Sequence, residues 1–145
     1  MILPPTLFLL CVAAMALLHW LAPLATVLRF PFDLAGLFPL AAGLAGAVWG
    51  SRRFRTAGTE IRTFGTPSKL VSDGLFRLSR NPMYLGFVTA LVGIWSLLGS
   101  ASPGLAVLAF AGITQWIYIP HEERTMSARF GSAYEAYRAT TRRWL

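Results

Sequence analysis

Arg80-Asn81-Pro82-Met83-Tyr84-Leu85-Gly86 heads an apolar run that continues to Leu98, and His121-Glu122-Glu123 follows a second apolar run from Pro103 to Ile119. Only Gly99 to Ser102 separates the two runs, with Pro103-Gly104 at the start of the second. A connection this short forces two helices into an antiparallel hairpin. The two polar motifs therefore come to the same end of that hairpin, and reading them together decides the fold around them.

Outward from the hairpin, two more stretches are apolar enough to span a membrane, Thr6 to Leu28 and Leu34 to Gly50. At about 1.5 Å per residue, roughly 17 residues cover about 25 Å, close to a hydrocarbon core of about 30 Å. The composition agrees, because 55% of the 145 residues are hydrophobic and 13% are charged. The expected fold is thus all-α and integral to a membrane, a single domain over 1–145 with four transmembrane helices at 6–28, 34–50, 83–98 and 103–119. The first of these is read as a helix and not a signal peptide, since Met1 to Thr6 has no Lys or Arg and the run exceeds an h-region.

The net charge of +7 has a topological explanation. Of the 13 Lys and Arg residues, 12 lie in the segment between the second and third runs or after Ile119, so they share one side if both termini are cytoplasmic. This excludes nucleic acid as the reason for the basicity. The expected setting is a multi-pass protein of a bacterial cytoplasmic (inner) membrane, with the lipid bilayer as partner; oligomeric state is not legible.

Between Ser51 and Asn81 the chain is basic and broken by Gly58, Gly65, Pro67 and Gly74, which reads as a largely irregular cytoplasmic loop. Gly43, Gly46 and Gly50, with Gly86 and Gly93, offer small surfaces for close helix approach; Gly46 and Gly50 have GxxxG spacing. After Pro120, residues Glu122, Met126, Phe130, Tyr134 and Tyr137 recur at helical spacing. Residues 120–145 are accordingly expected to form one amphipathic helix folded back over the hairpin.

Each motif residue has a plain reading beside a sharper one. Asn81-Pro82 suits a helix start, with Asn as N-cap and Pro at N1, but Tyr84 and Gly86 behind it place a phenol beside an opening for close approach. Glu122 and Glu123 complement a helix dipole, yet Glu122 lies on the apolar stripe while Glu123 is rotated by about 100°. A carboxylate on an apolar face needs a cation, which could be Arg80, Arg143 or a cationic ligand. His19 reads as packed or hydrogen-bonded between helices, His121 as an interfacial flank, and Cys11 as a small hydrophobe without partners for a disulfide or metal. No hydrolase triad, HExxH, CxxC, P-loop or GxGxxG pattern occurs, and no metal site is expected.

Leu70-Val71-Ser72-Asp73-Gly74-Leu75-Phe76, Arg80 to Gly86, then Glu122-Glu123 with Met126, Phe130-Gly131, Tyr134 and Tyr137, and finally Arg143-Trp144, resemble in order the integral-membrane methyltransferases. That superfamily includes isoprenylcysteine carboxyl methyltransferases and phospholipid methyltransferases, and the likeness covers about Pro67 to Trp144. It implies S-adenosylmethionine bound near the cytoplasmic face, touched by Ser68, Lys69, Leu70, Val71, Phe76, Asn81, Pro82, Met83, Tyr84 and Glu122, with Glu122 on the ammonium. Three positions depart from the pattern: Asn81 where His is usual, Phe76 where Tyr is usual, and Tyr118 where the isoprenylcysteine branch has an Arg suited to a substrate carboxylate.

The expected activity is methyl transfer from S-adenosylmethionine to a membrane-resident amphiphile, isoprenylcysteine-carboxylate-like or phospholipid-like. An amine acceptor must lose a proton, for which Tyr84, His121 and Glu123 are the candidate acceptors; a carboxylate or thiolate needs none. The alternatives are a small four-helix transporter, for which the spans offer only His19 as an ionisable group, and a non-catalytic membrane partner.

Overall fold

The computed structural model describes residues 2–56, 58 and 68–145. The part of the expected 51–81 loop that falls on 57 and 59–67 lies outside the described residues. Among the rest the chain is helical: α1 (Pro4–Leu21), a 3₁₀ turn (Phe32–Gly36) leading into α2 (Leu37–Thr56), a 3₁₀ turn (Gly74–Arg77), α3 (Pro82–Leu98), α4 (Gly104–Ile113), a π-helical turn (Thr114–Tyr118), α5 (Ile119–Phe130) and α6 (Ser132–Thr140). Pro4–Leu21 and Phe32–Thr56 are each long and apolar enough to cross a membrane, and only 22% and 17% of their apolar windows are buried in the protein. The core helix of a soluble protein would be mostly covered. Here Leu9, Leu17, Trp20, Phe38, Leu44, Leu108 and Trp116 face outward instead, as a lipid-facing surface requires. α3 is apolar but shorter, at 17 residues.

α2 and α3 meet backbone to backbone. A Cβ on Gly43 would stand 2.4 Å from the Gly86 carbonyl oxygen and from the Ala90 nitrogen, and one on Gly93 would stand 2.7 Å from the Gly36 oxygen. Gly50 lies under the Met83 side chain, 2.6 Å from such a Cβ to Cγ. The seam therefore runs along Gly36, Gly43 and Gly50, seven residues apart, and not along the Gly46–Gly50 pair, since a Cβ on Gly46 meets nothing within 4 Å. Without a hydrophobic driving force between helices in lipid, this close packing holds them together. Gly43→Val is expected to destabilise the protein by about 1–3 kcal/mol or more, whereas Gly46→Ala is expected to leave thermal unfolding in detergent unchanged.

The first helix ends at Leu21, earlier than the expected Leu28. Pro23 is the reason, because it drives the preceding residue from helical geometry, and Ala22 sits at φ −145°, ψ 62°. The apolar residues beyond are extended and clip onto the α3–α4 turn: the Val27 and Leu28 amides donate to the Gly99 carbonyl at 2.7 and 3.1 Å, and the Ala101 amide donates to Ala25 at 3.0 Å. Gly99, at φ 69°, closes α3 in the left-handed conformation. His19 Nδ1 lies 2.8 Å from Ser100 Oγ, so this histidine of α1 is hydrogen-bonded to the α3–α4 turn. Cys11 is buried among Leu7, Phe8 and Met15.

Pro120 does not divide the fourth run from the C-terminal region; α4, the π turn and α5 form one rod. A proline ring collides with the carbonyl four residues earlier, and a widened π turn immediately before it gives the room. The Thr114 hydroxyl bonds back to the Phe110 and Ala111 carbonyls at 2.9 Å each. The rod then stops at Phe130 because Gly131, at φ 51° and ψ −127°, takes a conformation reserved for glycine. The single helix expected over 120–145 is thus two helices and an irregular tail, Thr141 to Leu145. The second expected span is also longer, reaching Thr56.

Candidate functional site

The unbroken rod puts Tyr118 and Glu122 four residues apart on one face, opposite the head of α3. Tyr84 fills the space between them. Its ring lies parallel to that of Tyr118, centroids 6.2 Å apart at 15°, and its hydroxyl donates to Glu122 Oε1 at 2.8 Å. Tyr84 and Tyr118 are buried while Glu122 is half-buried. The Tyr118 hydroxyl donates to the Ile2 carbonyl at 2.7 Å, tying the start of α1 to the same end of the bundle. A carboxylate bonded to the hydroxyl of one of two stacked tyrosines is suited to organic cations: the carboxylate supplies charge in an aromatic setting.

Arg80 and Arg143 pair with Glu123, not with Glu122. Arg80 Nη2 donates to Oε1 at 2.8 Å, and Arg143 reaches Oε1 and Oε2 at 3.2 and 2.6 Å. The Arg80 and Glu123 side chains are only 10% and 12% exposed. Burial pushes the Glu123 carboxyl up, but the hydrogen bonds from Arg143 and Arg80 outweigh it and hold the group below its ordinary value.

The same residues fasten the C-terminal tail. The Arg80 amide donates to Arg142 at 2.9 Å, its Nη1 donates to the carbonyls of Thr141 and Arg138, and Ser79 Oγ donates to Arg143 at 3.3 Å. Trp144 Nε1 closes the tail onto Gln115 in the π turn at 2.7 Å. Asn81 and Pro82 do start α3, but the expected side-chain cap is absent. Asn81 Nδ2 donates to the Arg143 carbonyl at 2.9 Å instead, since the tail lies within its reach.

The remaining residues read from the sequence divide between two regions. Met83 turns away from Glu122 onto Gly50 of α2. Phe76 is buried against Trp49 and Phe54, with centroids 6.2 and 5.1 Å away, and its carbonyl accepts the Tyr137 hydroxyl at 2.6 Å. Desolvation raises the Tyr137 phenol well above its ordinary value, so that hydroxyl stays a donor. Ser68 and Lys69 are exposed and Val71 is buried. Leu70 lines a cleft of about 520 Å³ with Ser72, Arg77, Ala133, Ala136, Tyr137, Thr140 and Thr141. Asp73, whose carboxyl is lowered by its hydrogen bonds from Arg53, pins this segment to α2. His121 is half-buried beside Glu122, and its carbonyl accepts the Thr125 hydroxyl.

Sequence reading did not single out Ser79 or the link between Gln115 and Trp144. A lone glutamine in an apolar run was the available signal for the latter. The family model described as phospholipid methyltransferase matches residues 32–133, which takes in Tyr84, Tyr118, Glu122 and Glu123. An uncharacterized protein of Haemophilus influenzae is 34% identical over 64 residues, which are 43% of this chain and the whole of that protein. No solved structure matches.

Proposed function

We propose, since this chain belongs to the phospholipid methyltransferase family, that it transfers a methyl group from S-adenosylmethionine to a membrane-resident amphiphile at the cytoplasmic face. The observation that carries this reading is Glu122 held by Tyr84 beside Tyr118. That donor set fits the cofactor: the carboxylate suits an ammonium, and the aromatic surroundings suit a sulfonium. When bound, the cofactor supplies a methyl group that is already activated for transfer. The chain's own task is then to position the acceptor and exclude water, worth about 7–11 kcal/mol in well-oriented reactions.

Tyr84 orients Glu122, and Glu122 holds the ammonium. Asn81 and Pro82 set the head of α3 on which Tyr84 stands, while Ser68 to Val71 and Phe76 form the side toward α6. Met83 acts through its packing on α2. Glu123, kept ionised by two arginines, is a poor proton acceptor, and the Tyr84 hydroxyl is already a donor to Glu122, so His121 is the group for an amine acceptor. Tyr118, bonded to the Ile2 carbonyl, stands where the isoprenylcysteine branch has its arginine, which favours a phospholipid-like over a prenylcysteine-like acceptor.

The clustering of basic residues, and the meeting of both chain ends at the site, support a multi-pass protein with cytoplasmic termini. Isothermal titration of the protein in detergent or nanodiscs with S-adenosylmethionine and with S-adenosylhomocysteine tests the reading. Saturable binding of both is expected; heat traces flat for both would sink it.

A further inference from the structure

The cleft of about 520 Å³ lies between the segment around the Gly74–Arg77 turn and α6, and α2 fixes its level in the fold. That helix changes from apolar to basic over Trp49 to Arg55, the composition of a membrane–water boundary. The turn is held at the same level. Phe76 packs on Trp49, a Cβ on Gly74 would stand 2.4 Å from the Trp49 ring, and Asp73 is bonded to Arg53. Leu78, which follows the cleft residue Arg77, is 64% exposed although apolar. The cleft therefore stands at the depth of lipid headgroups.

Its chemistry suits an anion. Arg77 and Ser72 are exposed, and among the described residues Arg77 makes no ion pair and the Ser72 hydroxyl no hydrogen bond. No carboxylate is among the described residues that line the cleft. Those adjacent in sequence are engaged elsewhere: Asp73 by Arg53, and Glu135, on the opposite face of α6 from Ala133, Ala136 and Thr140, by Ser127 and Arg138. Ala133 and Ala136 keep that wall low, and Thr140 and Thr141 border it with hydroxyls. One unpaired guanidinium flanked by hydroxyls matches a singly charged phosphodiester. With no carboxylate at hand for an ammonium, an anionic headgroup fits better than a zwitterionic one.

We propose that this cleft is a second ligand site, which holds the phosphodiester of an anionic membrane phospholipid, with Arg77 on the charge and Ser72 donating its hydroxyl. The cleft shares no lining residue with the group of Tyr84, Tyr118 and Glu122. It is linked to that group through the Thr141 carbonyl, which accepts from Arg80, the partner of Glu123. The proposal goes beyond the methyl-transfer reading and does not need it: the lipid held here seats α6 and the Gly74–Arg77 turn on the membrane surface.

Native mass spectrometry of the detergent-solubilised protein, titrated with dioleoylphosphatidylglycerol, dioleoylphosphatidylethanolamine and dioleoylglycerol, is the test. The first lipid is expected to bind at least about fivefold more tightly than the other two. Arg77→Gln should erase that preference, while Arg55→Gln, at an exposed arginine outside the cleft, should keep it. Equal binding of the three lipids, a preference that survives Arg77→Gln, or an equal loss in both variants overturns the proposal; the last is what a general attraction of basic residues for anionic lipid produces. Excess inorganic phosphate is expected to leave the lipid bound, and displacement would assign the cleft to free phosphate and overturn the lipid as its source. S-adenosylhomocysteine should not compete with the lipid. Competition would place the cleft inside the cofactor site, overturning the proposal and leaving the cofactor reading intact.

Discussion

Replacing Glu123 by alanine is expected to lower the stability of the protein by about 3–5 kcal/mol, the usual consequence of removing one partner from a buried ion pair. The carboxylate neutralises Arg80, which is 10% exposed, and Arg143, which is 31% exposed. Without it two guanidinium groups face each other under the tail, and the contacts of Thr141 to Arg143 with Ser79, Arg80 and Asn81 lose their anchor. Cys11 is the single cysteine and is buried, so labelling by a thiol-reactive fluorophore during heating reports the loss directly. An unfolding temperature within a degree of the unaltered protein would show that the clamp contributes nothing.

The pH dependence of that contribution follows from the direction of the Glu123 shift. Its folded-state pKa lies below the unfolded one. The stabilisation is therefore complete above the ordinary carboxylate pKa and is lost as pH falls through the folded value. Unaltered and Glu123→Gln proteins should differ most near neutrality and converge in acid.

Glu122→Gln is expected to act on binding and not on stability. The amide keeps the length of the side chain and an oxygen for the Tyr84 hydroxyl, so the unfolding temperature should change by the equivalent of less than about 1 kcal/mol. Loss of the charge removes the group proposed to hold an ammonium, a charged hydrogen bond worth about 1.5–3 kcal/mol, or roughly 10- to 150-fold in affinity for S-adenosylhomocysteine. Titration measures this directly. Adjacent carboxylates would then show opposite signatures, Glu123 in stability and Glu122 in affinity; unchanged affinity in Glu122→Gln would remove Glu122 from the site.

Helical spacing was enough to separate these two carboxylates, because residues adjacent in a helix point about 100° apart. It was not enough to assign their partners. The cation offered to Glu122 by Arg80 or Arg143 goes to Glu123, since those arginines approach from the head of α3 and from the tail, on Glu123's side of the rod. Hydropathy likewise marked the first apolar run but missed its end, because Leu24 to Leu28 are as apolar in an extended clip on Gly99 as in a helix. The Pro23 signal for that end was present. Gly131 also stood in the sequence as a breaker, but the tyrosines beyond it continued the helical stripe and concealed the break.

What the sequence by itself determined is the all-helical, lipid-facing character of the chain, the hairpin of α3 with α4, and the meeting of Tyr84 and Glu122 at one end of it. Those follow from local quantities, apolar run length, turn length and the period of the helix. Only the tertiary structure decided that the Gly36–Gly43–Gly50 line forms the α2–α3 seam, that a π turn carries one rod through Pro120, and that the tail is latched by Arg80, Glu123 and Gln115. Each of these depends on which backbones approach within contact distance and which buried charges must be neutralised there. Residues far apart along the chain set both conditions, and no local pattern records them.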